Sequence, residues 1–246
     1  MPSLSLDGDA EAGRDRVDEE TLAEHISAHA RWLENGTEAG RCVDLTGANL
    51  TYGGFLEADM RQARLAGARL VKANLRESNF AGADLRGANL EGASMVNIDL
   101  SGACLVAANL HRVVSPGANF TDAEADEVRL ASANLLSAVF LRTLLRGADL
   151  RDVNLAGGVL RESVLVAADL SDAKLMMADL TGANLRGANL SRAVLFGAVL
   201  DDCDFSDADL SSAVGVTAVQ LERAFANAAT RLPLELDGCV MREAPT

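Results

Sequence analysis

A side chain of one kind returns at every fifth residue over two thirds of this chain. From Leu45 to Leu210 the series Leu45, Leu50, Phe55, Met60, Leu65 and onward to Leu200, Phe205 and Leu210 holds Leu, Phe or Met at 32 of 34 places. Only Ser115 and Ala125 depart from it. We refer to this position as the centre of a pentad. Two residues before it sits a small side chain, Ala in 23 of the 34 pentads, and the residue between is Asp or Asn 19 times. A repeat at fixed period constrains the fold more tightly than any local propensity. A regular helix is excluded, because a step of five at ~100° per residue scatters successive centres around its surface. A long flat strand fails too, since an odd period puts alternate centres on opposite faces. The backbone must turn once in each pentad.

A short extended piece followed by a corner meets that demand. The small residue and the centre, two apart, point to one side, and the residue between them points out. The last two residues make the corner. Gly fills the final position 12 times, from Gly47 to Gly197, which suits a turn that needs positive φ. Stacked coils of such pentads bury the centres in ladders, each layer bonded to the next at ~4.8 Å.

Runs such as Gly82-Ala83-Asp84-Leu85-Arg86-Gly87-Ala88-Asn89-Leu90 and Ala173-Lys174-Leu175-Met176-Met177-Ala178-Asp179-Leu180 resemble the tandem A(D/N)LXX units of the pentapeptide repeat family. The resemblance extends over the whole pentad series, from Leu45 to Leu210. It implies an all-β solenoid, a right-handed quadrilateral parallel β-helix with four pentads per turn; the period alone gives only a corner in every pentad. On that reading the repeat makes about 8.5 coils and a rod roughly 40 Å long.

The flanks read as covers for the two open mouths, where unpaired edges would otherwise template aggregation. Residues 1–20, acidic and aperiodic, are expected to be a flexible tail. Residues 21–40 should hold an N-terminal capping helix. Thr21-Leu22-Ala23-Glu24 has the form of a capping box, Leu22, Ile26 and Leu33 share a face, and Asn35-Gly36 supplies a stop. This gives a helix from about Leu22 to Glu34, with Trp32 beside its apolar face. The coil spans 41–214. In 215–246, Thr217-Ala218-Val219-Gln220 followed by Leu221, Ala224, Phe225 and Ala228 predicts a second helix, to cap the last coil or form a dimer contact, and a tail.

No catalytic constellation is found, and a packed interior leaves no chamber for a substrate, so the chain is read as no enzyme and without a cofactor. His25 and His29 stand at the i, i+4 spacing of two metal ligands on a helix, but no third ligand follows. They are assigned to the solvated side of the capping helix, and no metal site is expected. Glu124, Asp126 and Glu127 form an acidic cluster beside Ser115, Pro116 and Ala125, the one irregular stretch of the ladder; a local loosening of the coil is the expectation there. No phosphate-loop pattern occurs.

If each turn holds four pentads, outward positions sort into files. The file Leu56, Arg76, Val96, Pro116, Leu136, Ala156, Met176, Phe196 is apolar for a surface. Leu56, Val96, Leu136, Met176, Met177 and Phe196 are therefore the candidate partner-binding stripe, for another protein or a second copy. A further file, with Arg86, Arg146 and Arg186 beside Asp84, Asp126 and Asp207, should be a solvated mixed-charge face.

Formal net charge is −14, which repels phosphates at long range and disfavours direct binding to nucleic acid or an anionic membrane. The resemblance raises an alternative: some members of the family protect DNA gyrase, a type II topoisomerase, by imitating duplex DNA. Yet residues 1–40 carry −7 and residues 211–246 carry −1, leaving −6 on the coil. A ~40 Å length of duplex bears roughly 20 negative charges at one per ~1.7 Å. The N-terminus has no apolar signal core, no apolar run is long enough for membrane insertion, and Cys42, Cys104, Cys203 and Cys239 are scattered. A cytoplasmic protein-protein interaction scaffold is the expectation.

Overall fold

The structure, a computed structural model, describes residues 15–35, 42–236 and 238–243. The pentads wind into a coil whose period is fixed by its backbone pairing. Asp44 bridges Arg64, Arg64 bridges Asp84, Asp84 bridges Cys104, and the series continues in parallel by the same step as far as Val194 and Val214. Four pentads therefore complete each turn. Every side of the coil contributes one bridged residue, the outward one before each centre, so the sides are too short to form extended strands. The four-cornered section expected from the family resemblance is present.

Each corner is closed in the same way. The carbonyl of a centre accepts a hydrogen bond from the N–H three residues later, as in Ala48 N to Leu45 O at 3.0 Å and Gly53 N to Leu50 O at 2.8 Å. The third residue of this turn is left-handed at every corner from Gly47 to Asp207, with φ between 52° and 68°. An i to i+3 bond with positive φ at the third residue is the type II arrangement. Most of these left-handed residues are not glycine; Tyr52, Lys72, Asp122 and Met177 are among them. The corner geometry is thus imposed by the stack, and glycine is a relief where it occurs rather than a requirement.

Between corners, N–H and C=O groups along the rod axis bond to the neighbouring coils. Leu65 N donates to Asp84 O at 2.7 Å, and Asp84 N donates to Ala63 O at 2.9 Å. All 34 centres are buried, Leu100 and Leu150 among them. Each large buried centre contributes ~1.5–3 kcal/mol relative to exposure. The interior is largely aliphatic, with aromatic contacts where phenylalanines meet: Phe55 and Phe80 edge to face at 6.0 Å, Phe120 and Phe140 stacked at 4.4 Å.

The stretch around Ser115 and Ala125 is not loosened. Bridges run through it without interruption, from Ser94 to Val114 to Asn134 and from Cys104 to Glu124 to Leu144. Ser115 is buried and donates from Oγ to Met95 O at 3.1 Å, so its hydroxyl is bonded within the stack. The two small centres flank Phe120 in one coil, and that ring supplies bulk between them.

Both ends differ from expectation. The N-terminal helix, α1, runs Glu19–Asn35, and its cap is Asp18 rather than Thr21. Asp18 accepts from Thr21 N and from Thr21 Oγ1, both at 2.8 Å, and these bonds hold its carboxyl below the usual 3.8. Of the expected tail, residues 1–14 lie outside the described residues, whereas Arg16 bridges Asn49 and Val17 N donates to Asn49 O at 2.9 Å. Helix α1 packs on the first coil. Leu22 is buried against Gly53, where a Cβ would lie 3.4 Å from Leu22 Cδ2 and 2.9 Å from the Phe55 ring.

At the other mouth the second capping helix shrinks to one turn. Helix α2 is only Ala218–Leu221; Thr217 forms the expected capping box with Gln220. Beyond it the chain resumes the ladder. Phe225 bridges Asp204 and Arg231 bridges Asp209, one and two places beyond the regular register. Strand β1, Phe225–Ala226, then pairs in parallel with β2, Arg242–Glu243. Leu221 and Ala224, read as one helical face, are buried as the interior of this irregular coil. Unpaired backbone on the last regular coil is the reason: Cys203 O and Ala208 O accept from Phe225 N and Arg231 N at 2.7 and 3.0 Å, which a helix could not supply.

Candidate interaction surface

The four-pentad register brings Leu56, Val96, Leu136, Met176 and Phe196 into one file along one corner, with Met177 beside it. Leu56, Leu136, Met176, Met177 and Phe196 are exposed; Val96 is half-buried. The file is not uniform. Arg76 is exposed between Leu56 and Val96, and Leu56 instead borders an open groove of about 820 Å³ against Leu22, Ile26 and Ala30 of α1. The contiguous part is the C-terminal half.

There four successive layers present Asn134, Leu136, Ser137 and Val139; Asn154, Ala156, Gly157 and Val159; Lys174, Met176, Met177 and Asp179; and Val194, Phe196, Gly197 and Val199. Of these sixteen outward residues only Lys174 and Asp179 are charged, with opposite signs. Lys174 Nζ lies 4.0 Å from Asp152, and Asp179 lies 3.7 Å from Arg161. Met177 is 71% exposed and Phe196 57%. Both large side chains lie along the rod over glycines of the next layer. A Cβ on Gly197 would come within 2.5 Å of Met177 Sδ, and one on Gly215 within 2.5 Å of the Phe196 ring. Val199 and Val214 are also exposed and extend this patch. Reading one file at a time missed them, although the same four-pentad spacing applied to the flanking files would have found them.

The other faces are laced with ions. Asp84 and Asp149 each accept two hydrogen bonds from the arginine two residues on, Arg86 at 2.8 and 2.6 Å and Arg151 at 2.7 Å twice. Asp122 and Asp172 do the same with Arg142 and Arg192 of the next coil. In each case the guanidinium bonds hold the carboxyl below its ordinary range. Arg146 binds Asp126 at 3.2 Å, and Arg186 lies 4.0 Å from Asp207, so the mixed-charge face is as expected. The acidic cluster of Glu124, Asp126 and Glu127 is therefore partly neutralised.

His25 and His29 do not converge. His25 Nδ1 bonds to Thr21 O within α1 at 2.7 Å, while His29 is fully buried against the first coil, not on a solvated side. No group of three His, Cys, Asp or Glu among the described residues could hold a metal ion, and no described helix is long and apolar enough to cross a membrane. Cys203 occupies an inward small position. Its thiol donates to Leu180 O at 2.9 Å, and burial pushes its pKa far up, leaving it unreactive.

A family model described as pentapeptide repeats matches in eight copies over residues 41–80, 78–114, 116–152, 143–182 and 175–211. The chain belongs to the pentapeptide repeat family. Among solved structures it resembles HetL, a pentapeptide repeat protein from the cyanobacterium Nostoc sp. strain PCC 7120, at 29% identity over 89% of this chain and 92% of HetL, with a TM-score of 0.64. HetL is described as involved in the regulation of heterocyst differentiation. A trypsin-treated form of QnrB1, a plasmid-mediated fluoroquinolone resistance protein, aligns at 18% identity over 80% of this chain and 88% of its own, with a TM-score of 0.56. That likeness concerns the fold alone. A search of curated proteins finds no significant match.

Proposed function

We propose that this pentapeptide repeat protein is a non-enzymatic scaffold, wound in the right-handed sense of its family, that pairs side by side with a second copy through the neutral corner around Met176, Met177 and Phe196. One observation carries the reading: a chain of net charge −14 sets Leu136, Met176, Met177, Phe196 and Val199, all exposed, on one corner where sixteen adjacent outward residues sum to zero charge. Pairing about a two-fold axis sets this patch on its own copy and keeps the acidic remainder apart. A basic partner would find no counter-charge there. Four layers at ~4.8 Å span about 15 Å, which is small for a stable interface, so the dimer should be weak, with Kd in the micromolar range. The regulatory role described for HetL fits a protein that works by contact.

Sedimentation velocity from 1 to 200 µM tests the reading. The wild type should shift from monomer towards dimer, and Met177→Glu and Phe196→Asp should each hold the chain monomeric. A wild type that stays monomeric at 200 µM overturns it, as does a dimer that both variants leave intact.

A second reading, modulation of a type II topoisomerase by DNA mimicry, is favoured by the acidic net charge. Against it stands the charge of only −6 on the coil, with many carboxylates tied to arginines. A gyrase supercoiling assay decides it. An assay that shows no protection and no inhibition at micromolar protein would remove this alternative.

A further inference from the structure

The ring of His29 has both nitrogens committed to backbone groups of the first coil. Val43 N donates to His29 Nδ1 at 3.1 Å, and His29 Nε2 lies 3.0 Å from Arg61 O. A carbonyl can only accept, so Nε2 carries the proton and Nδ1 offers its lone pair. The imidazole is thus neutral, in a single tautomer, and completely shielded from solvent. It stands where another coil would stand. In every interior coil the carbonyl one residue after a centre accepts from the preceding coil, as Ala66 O does from Gly47 N. At the start of the first coil, Arg61 O accepts from a side chain of α1, His29.

We propose that His29 is a proton-operated latch: helix α1 stays on the mouth of the coil while this imidazole is neutral, and protonation releases it. A proton on Nδ1 would face the Val43 N–H at hydrogen-bond distance, turning an attraction into a repulsion between two donors. It would also place a cation in a site with no carboxylate bonded to the ring. The charged groups facing the ring from the coil are Asp59 and Arg61, which bind each other at 2.6 Å and so largely cancel. From α1 itself, Trp32 stacks on the ring at 5.4 Å and 21°. His25, one turn earlier, donates from Nδ1 to Thr21 O, a bond that protonation leaves intact.

The direction of the response follows. Burial, the dominant influence, lowers the His29 pKa from its ordinary 6.5. The docked helix therefore excludes a proton that the released helix accepts. Docking is at full strength above pH 6.5 and weakens as pH falls from there to the lowered pKa of the docked ring. Within that window the released population grows about tenfold per pH unit, the slope for one proton. Asp18, the cap of the same helix, titrates below 3.8 and lies outside it.

The full-length chain supplies the test. Hydrogen-exchange protection factors for amides of 19–35 should fall about tenfold per pH unit between pH 6.5 and the docked pKa, while those of coils 83–183 hold constant. Emission of Trp32, the single tryptophan, should change over the same range. His29→Gln offers a carbonyl and an amide without a titratable proton; it should make protection of α1 independent of pH, and His25→Gln should behave as the wild type. Protection that does not respond to pH in the wild type overturns the proposal, as does a response surviving in His29→Gln. Should the glutamine variant fail to dock at any pH, the wild-type His29 resonances decide: a pKa at or above 6.5, or an Nδ1–H tautomer, refutes the latch.

Discussion

Ala107 and Ala108 are neighbours with the same side chain, and glycine should act on them in opposite directions. Ala107 is the third residue of its turn, with φ of 55°, whereas Ala108 is an inward small residue, fully buried. A left-handed L-residue costs ~1–2 kcal/mol. Replacing it by glycine removes that strain but returns ~0.4–1 kcal/mol of freedom to the unfolded chain. Ala107→Gly should therefore stabilise by about 0.5–1 kcal/mol. Ala108→Gly gains no relief; it loses that same entropy term and a buried methyl worth ~0.8 kcal/mol, and should destabilise by about 1.5 kcal/mol. The converse probe is Gly87→Ala. An added Cβ there meets nothing within 4 Å, so only the φ of 62° opposes it, and a loss of about 0.5–1 kcal/mol is expected. Urea titrations followed by far-UV circular dichroism, compared at equal m-value, measure all three. If Ala107→Gly and Ala108→Gly both destabilise by similar amounts, the left-handed corner is not the strained element inferred here.

Leu150→Ala, which truncates a buried centre in the middle of the rod, should cost about 2–5 kcal/mol by the same titration. Ser206 is buried and its Oγ has no hydrogen-bond partner among the described residues, so Ser206→Ala should be neutral or raise stability by about 1 kcal/mol. Acid should act on the coil only well below pH 6.5, where it begins to act on α1. Asp59, Asp84, Asp122, Asp149 and Asp172 have carboxyls held below 3.8 by arginine hydrogen bonds. Their stabilisation is present above that value and lost as pH falls through the lowered pKa values. Circular dichroism of the coil should therefore be unchanged at pH 5 and decay below about pH 4.

The core was legible because the sequence encodes it redundantly: each centre is large and apolar, and each partner two residues earlier is small. How many pentads close a turn was not legible from the period. That number depends on the angle turned at each corner, which side-chain identity constrains weakly, as left-handed Tyr52, Lys72 and Met177 demonstrate beside left-handed Gly47. It came from family resemblance, and bridges such as Asp44 to Arg64, four pentads apart, agree with it. The candidate patch was legible in part, since the same spacing defines its files, but Val199 and Val214 required the flanking files to be read as well.

The two mouths were harder because local signals compete there with backbone demand. At the N-terminus Asp18 and Thr21 are both sound caps; the earlier one wins, and Arg16 and Val17 pair with Asn49. At the C-terminus Thr217 and Gln220 do start a helix, yet after one turn the unpaired groups of Cys203 and Ala208 pull the chain into extended pairing. His29 shows the same logic in a side chain. It falls between Ile26 and Leu33, two turns on from Leu22, within the apolar face of α1. A polar residue in that position has to find partners when the face is buried. The mouth of a β-solenoid provides orphan backbone donors and acceptors, and an imidazole with one donor and one acceptor can meet one of each, provided it remains uncharged.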